Sequence, residues 1–157
     1  MDTPHPDTGL TPRQIAVLQE SWKGPAQNVE ETGVEVLMRL FTAHPEYMKY
    51  FSSFSEVPLD QLRTTARFRR HGLNVARSLD AALGELNDAP KLVDRFTALG
   101  VTHGGRKISE KAFQDLKLIV VNLMKEACKV DDFGAQAWTQ LFDTAYKIMF
   151  AAMRTMT

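Results

Sequence analysis

Few side chains in this sequence are suited to ligating a metal or moving a proton: four histidines and one cysteine. His5 lies in the polar opening stretch MDTPHPDTGL and His44 precedes a proline, so both are expected to be structural or solvent-exposed. His71 and His103 differ. Phe68, His71, Val75, Leu79 and Leu83 follow one another at three and four residues, as do Leu92, Phe96, Leu99 and His103, which puts each histidine on the apolar face of a helix. One inward histidine is usually a core residue satisfied by backbone. Two on separate helices can face one space, and leaving both imidazoles unpaired would cost about 1 to 3 kcal/mol each, so a polar or metallic partner is expected between them.

Zinc is a poor candidate for that partner, because tetrahedral sites need three or four Cys, His or carboxylate ligands and neither HExxH nor paired CxxC spacing occurs. A hydrolytic triad fares no better, since the inward faces offer no serine or cysteine near either histidine and no buried acid to orient one. A haem needs one strong axial nitrogen, a wide apolar slot and a suitable group on the opposite side. The two stripes supply all three.

The elements that must position these residues are signalled along the chain. Thr11-Pro12-Arg13-Gln14 combines an N-cap, a proline at the first helical position and a capping box, and Leu10 can staple onto Ile15. Asn28 and Glu31 start a second helix with the stripe Val34, Leu37, Met38 and Phe41, which Pro45 ends before one short turn. Phe51 to Pro58 reads as a loop whose two phenylalanines, Phe51 and Phe54, either cover the core or grip a ligand. A long helix is expected over 61–86, then one ending at His103 before Gly104-Gly105. Another follows Ser109, with Phe113, Leu116, Val120, Leu123 and Met124 inward, and a last one carries Trp138, Leu141, Phe142, Ala145, Ile148, Met149 and Ala152. No useful period-two segment and no repeat occur. The fold class is all-α.

Length and charge narrow the partners. A chain of 157 residues fits one domain, expected over 10–157 after a disordered arm at 1–9. Lys plus Arg equals Asp plus Glu at 19 each, which points away from nucleic acid or an anionic membrane as main partner, and the apolar run Leu118 to Val121 is far too short to span a bilayer. The lone Cys128 is read as an inert thiol that suits a reducing cytoplasm, and the methionines as core filler.

These residues together resemble the globin family, from about Leu10 to Met153. LMRLFTAHPEYMKYF, Leu37 to Phe51, is similar to the globin run that ends at the phenylalanine packed on the haem. RRHGLNV, ending at Val75, resembles the distal segment, and LGVTHGGRKIS, Leu99 to Ser109, the proximal one; Trp22 falls where globins carry their first-helix tryptophan. VPLDQLRTTARFRRH, HGGRKIS and ACKVDDFGAQAWTQLFDTAYKIMF resemble intracellular arthropod globins more than vertebrate myoglobin. The resemblance implies a globin fold of six to eight helices holding haem b, with His103 as the proximal iron ligand. It implies that Phe51, Phe54, Leu37, Val75, Leu79, Leu99, Ile108, Phe113 and Leu116 line the pocket. Arg106, and with it Lys107, Arg70 or Asn74, would reach the propionates. His71 would either donate a hydrogen bond to bound dioxygen or act as a sixth, hexacoordinating ligand in the gas-free state. The implied function is reversible oxygen transport or storage in the cytoplasm, with carbon monoxide and nitric oxide as further ligands and a monomer or homodimer as the assembly. Nitric oxide dioxygenation or nitrite reduction served by a separate reductase, gas or redox sensing, and a haem-free globin-shaped domain are the alternatives.

Overall fold

The computed structural model describes residues 3–155. Six α-helices and three short 3-10 segments make up the regular structure of these residues. Helix α1 spans Pro12–Trp22, and its start is the expected reciprocal cap: the Gln14 N–H donates to Thr11 Oγ1 at 3.1 Å and the Thr11 N–H to Gln14 Oε1 at 2.9 Å. Helix α2, Val29–Ala43, follows a 3-10 segment at Pro25–Asn28, and the Asn28 side chain accepts from the Glu31 N–H. Helices α4 (Ala89–His103), α5 (Glu110–Ala127) and α6 (Asp132–Arg154) are capped by Asp88, Ser109 and Asp131 in turn. Each cap satisfies an amide that the first helical turn leaves without a carbonyl.

The long helix expected over 61–86 is shorter. A 3-10 segment occupies Leu59–Thr64, Thr65 is extended, and α3 runs Ala66–Gly84. The hydroxyls of Thr64 and Thr65 both donate to the Gln61 carbonyl, a local alternative to helical bonding that competes with it. Helix α4 does end at His103, yet Gly104 stays right-handed; the left-handed residue of that corner is Lys107, at φ 56°. Of the arm expected to be disordered, Met1 and Asp2 lie outside the described residues. Among the described residues that follow, Thr144 Oγ1 donates to the Thr8 carbonyl at 2.6 Å, the His5 N–H donates to Leu10 O, and Thr8 is 2% exposed.

Two hydrophobic clusters form, and their seam decides where a site can be. One gathers Trp22, Leu83, Phe96, Phe113, Trp138, Phe142 and Tyr146 from α1, α3, α4, α5 and α6. The other gathers Val34, Leu37, Phe41, Tyr47, Phe54 and Phe68 around α2 and the start of α3. Helix α3 packs closely on α2 and α4 packs closely on α6, whereas α3 and α4 are not a closely packed pair. The space between those two helices is the cleft.

Candidate functional site

Each inward histidine is carried by a helix held from behind at a glycine. Gly72, the residue after His71, lies against α2 so closely that a Cβ there would sit 2.8 Å from the Val34 nitrogen and 2.9 Å from the Gly33 carbonyl carbon. Gly100, one turn before His103, lies against α6, where a Cβ would come within 2.5 Å of the Met149 carbonyl oxygen and 2.8 Å of Ala152 Cβ. At both places a Cβ would force the two backbones apart. Arg69 holds the first turns of α3 from the same side, donating to Glu30 Oε2 at 2.9 Å, Glu31 Oε2 at 2.5 Å and the Arg63 carbonyl at 2.9 Å.

The cleft has two chambers. The outer one, about 100 Å³, is lined by Leu37, Phe51, His71, Val75, His103, Arg106, Ile108, Phe113 and Leu116, together with Leu40, Tyr47, Tyr50 and Ala112. The inner one, about 140 Å³, shares Val75, His103, Phe113 and Leu116 and adds Leu79 and Leu99, with Phe96, Val120, Phe142, Tyr146 and Met149 among the rest. Of the residues expected to line a pocket, all but Phe54 therefore face one chamber or both. Phe54 stands one layer back, stacked on Phe51 at 5.3 Å and 12° and packed against Phe41 and Phe68. Arg106 alone of the four candidate rim residues lines a chamber; Arg70, Asn74 and Lys107 are exposed and line neither.

Tyr47 and Tyr50 escaped the sequence reading, because the 3-10 segment Pro45–Tyr50 gives no four-residue stripe from which to read their direction. Tyr47 donates to Asp115 Oδ2 at 2.5 Å, and Lys111 Nζ donates to both. That anchors the turn on α5, and with it Phe51, whose ring meets His71 edge-on at 4.6 Å. His44 lies within 3.4 Å of Glu46 and 3.8 Å of Asp115, and His5 Nδ1 accepts from the Asp7 N–H. Both are outside the cleft.

The chemistry of the pair follows from its surroundings. His103 Nδ1 is 2.7 Å from the Leu99 carbonyl. A carbonyl only accepts, so Nδ1 carries the proton and Nε2 keeps a bare lone pair, the form in which imidazole binds metals. Thr102 Oγ1, at 3.4 Å from the same nitrogen, itself donates to Leu99 O at 3.0 Å, so the carbonyl is the orienting group. Burial holds His103 below the ordinary histidine range, partly offset by that hydrogen bond. Burial, then the charge of Arg106, then His103 itself hold His71 down as well. Both rings are therefore neutral donors of a lone pair at neutral pH. Among the described residues no three His, Cys, Asp or Glu side chains come together to hold a metal ion, so an ion here needs equatorial ligands from elsewhere. One oriented imidazole, a second facing it and otherwise apolar walls fit a planar macrocycle that brings those ligands with it.

Comparison with known proteins agrees. The family model described as Globin matches residues 34–149. Cytoglobin-1 of Danio rerio is 30% identical over 149 residues, covering 92% of this chain and 85% of that protein. Among solved structures, the haemoglobin of the botfly Gasterophilus intestinalis matches with a TM-score of 0.86 at 30% identity, covering 90% of this chain and 97% of that one. A Drosophila melanogaster hexa-coordinate haemoglobin, described with cyanide binding and haem-cavity conformational transitions, matches at 0.85 and 26% identity, covering 90% and 94%. With nearly three quarters of its length inside the family model and relatives of this kind along nine tenths of it, the chain belongs to the globin family, whose members bind haem and, through it, diatomic gases.

Proposed function

We propose that the cleft between α3 and α4 takes haem b with His103 Nε2 as its iron ligand, and that the protein binds dioxygen reversibly as a cytoplasmic carrier or store. The observation that carries this reading is the carbonyl-fixed tautomer of His103 facing His71 across an apolar cleft. When bound, the haem supplies a ferrous iron that takes diatomic gases reversibly. The chain supplies the rest. Leu99 O holds the His103 ring, Phe51, Val75, Leu79, Phe113 and Leu116 exclude water, and Arg106 at the outer chamber offers a guanidinium to a propionate.

His71 serves two states of this cycle. Among the described residues no group satisfies its ring nitrogens through a hydrogen bond, and it faces the chamber that His103 faces. It would therefore serve as a second iron ligand before gas enters, and as a hydrogen-bond donor to the gas afterwards. The likeness to a hexa-coordinate haemoglobin supports the first role. Cys128, half-buried beside Met124 with its thiol pushed up by burial, takes no part. Reconstitution with hemin tests the reading: the wild type is expected to develop a Soret band and His103→Ala to lose it. A wild type without the band, or an alanine variant that keeps it undiminished, overturns the assignment.

A further inference from the structure

Phe51 and Phe54, the two rings that bound His71, are the corners of one tight turn. The Phe54 N–H donates to the Phe51 carbonyl at 3.0 Å, the bond that closes a four-residue β-turn, so Ser52 and Ser53 form its tip. Both are exposed. Serines in turns commonly bond to nearby backbone, yet among the described residues the hydroxyls of Ser52, Ser53 and Ser55 make no hydrogen bond. A second turn follows, closed by the Val57 N–H on the Phe54 carbonyl at 3.0 Å, and the next regular element starts at Leu59. Of these serines, Ser53 has a carboxylate three residues on: Glu56, exposed and without an ion pair among the described residues.

Helix α3 brings two cations to the same place. Arg67 and Arg70 are exposed and, among the described residues, join no hydrogen bond or ion pair, whereas Glu35 holds Arg63, and Glu30 and Glu31 hold Arg69. Three residues apart, they share one face of the helix. Each precedes a residue that the turn touches: Phe68 meets the Phe54 ring at 5.4 Å, and His71 meets Phe51 at 4.6 Å. The turn and both free guanidinium groups therefore belong to one short segment of α3.

We propose that Ser53 is a phosphorylation site for a serine kinase that reads a carboxylate three residues on, and that Arg67 and Arg70 take the phosphate and clamp the turn onto the helix carrying His71. In the transfer, Ser53 Oγ attacks the γ-phosphorus of a nucleoside triphosphate and the bond to the bridging oxygen breaks. The nucleoside diphosphate leaves with that electron pair, and the hydroxyl proton passes to the base of the kinase. The product carries a charge of about −1.5 to −2 and three acceptor oxygens, which suit the fork of a guanidinium. Glu56, which marks the serine beforehand, repels the phosphate afterwards and so favours its move toward the arginines. A clamped turn keeps both rings over His71, and the histidine leaves its position more slowly. That last consequence rests on the reading of His71 as an iron ligand; the phosphate site does not.

The modification is tested by giving the haem-loaded chain an acid-directed serine kinase and ATP and locating the phosphate by mass spectrometry. Incorporation at Ser53 is expected, absent from Ser53→Ala and much slower in Glu56→Gln. No phosphate at Ser53, or incorporation there that Glu56→Gln leaves unchanged, overturns the site. The clamp is tested on chain made with phosphoserine installed at Ser53. Its melting temperature is expected to rise by about 2 to 4 °C, the size of one exposed ion pair, and carbon monoxide binding to slow about threefold to fivefold. Both effects should vanish in the double variant Arg67→Gln, Arg70→Gln and shrink at high salt. A melting temperature that the phosphate does not move, or a rise that the double variant keeps, overturns the clamp. An unchanged gas rate in protein whose gas-free spectrum shows two histidines on iron overturns the effect on His71. Where that spectrum shows one, the reading of His71 as a ligand fails instead, and the melting temperature still decides the clamp.

Discussion

At the scale of single residues, the two histidines are alike in burial and unlike in what holds them. His103 is turned by a carbonyl one helical turn earlier and so presents one fixed nitrogen. His71 is bounded by rings, Phe51 at 4.6 Å and Phe54 at 6.2 Å, which restrict its position without engaging its nitrogens. A ligand held by packing alone can leave, while one held by a hydrogen bond to its own helix stays. His71→Leu should therefore retain haem. In the ferrous, gas-free state the wild type is expected to show sharp, split visible bands and the leucine variant one broad band. Loss of the donor should also destabilise the dioxygen-bound form by about 1 to 2 kcal/mol, read as a faster dissociation rate. Identical gas-free spectra would remove His71 from the iron.

At the scale of elements, the apolar stripes were legible in the sequence because a three-and-four spacing dictates which side chains share a helix face. His71, Val75 and Leu79 were placed by it, as were Leu99 and His103. What fixes the helices from behind was not legible. Gly33, Gly72 and Gly100 carry no side chain to enter a hydrophobic pattern, and their role lies in how closely one backbone approaches another. The same limit hid Tyr47 and Tyr50, which sit in 3-10 geometry, and misjudged Phe54, since a loop gives no period from which to read direction. The α2–α3 crossing makes this testable. Gly72→Ala must push α3 off α2, because the atoms its Cβ meets at 2.8 and 2.9 Å are backbone. Overpacking of this kind costs about 1 to 3 kcal/mol, measurable by urea denaturation. The displacement moves His71 with its helix, so the gas-free visible spectrum should change together with the stability. Gly84→Ala, where a Cβ would meet nothing within 4 Å, should leave the spectrum as it is.

At the scale of the molecule, two cores meet at the cleft, and the connection from α3 to α4 decides how far the histidine helices can part. Glu85, 8% exposed, lies just past α3 and accepts two hydrogen bonds from Arg95 of α4, at 2.6 and 2.7 Å. The Arg95 guanidinium holds the Glu85 carboxyl below its usual range against the opposing effect of burial. A carboxylate whose folded pKa is depressed contributes stability that is fully present above its unfolded value, about 4.3, and is lost as pH falls through the folded value. Asp115, held down first by Lys111 and then by Tyr47, adds an acid-sensitive tie of the same sign at the outer chamber. Acid should thus loosen the frame around the cleft at both ends. Glu85→Gln tests this directly: at pH 7 it should lose about 1 to 2 kcal/mol, less than a fully buried pair because Arg95 is 36% exposed. Because the variant cannot titrate there, the difference from the wild type should shrink as pH falls from 5 toward 3, in melting temperature and in haem retention alike. A gap that stayed constant over that range would mean that the pair contributes packing and not charge.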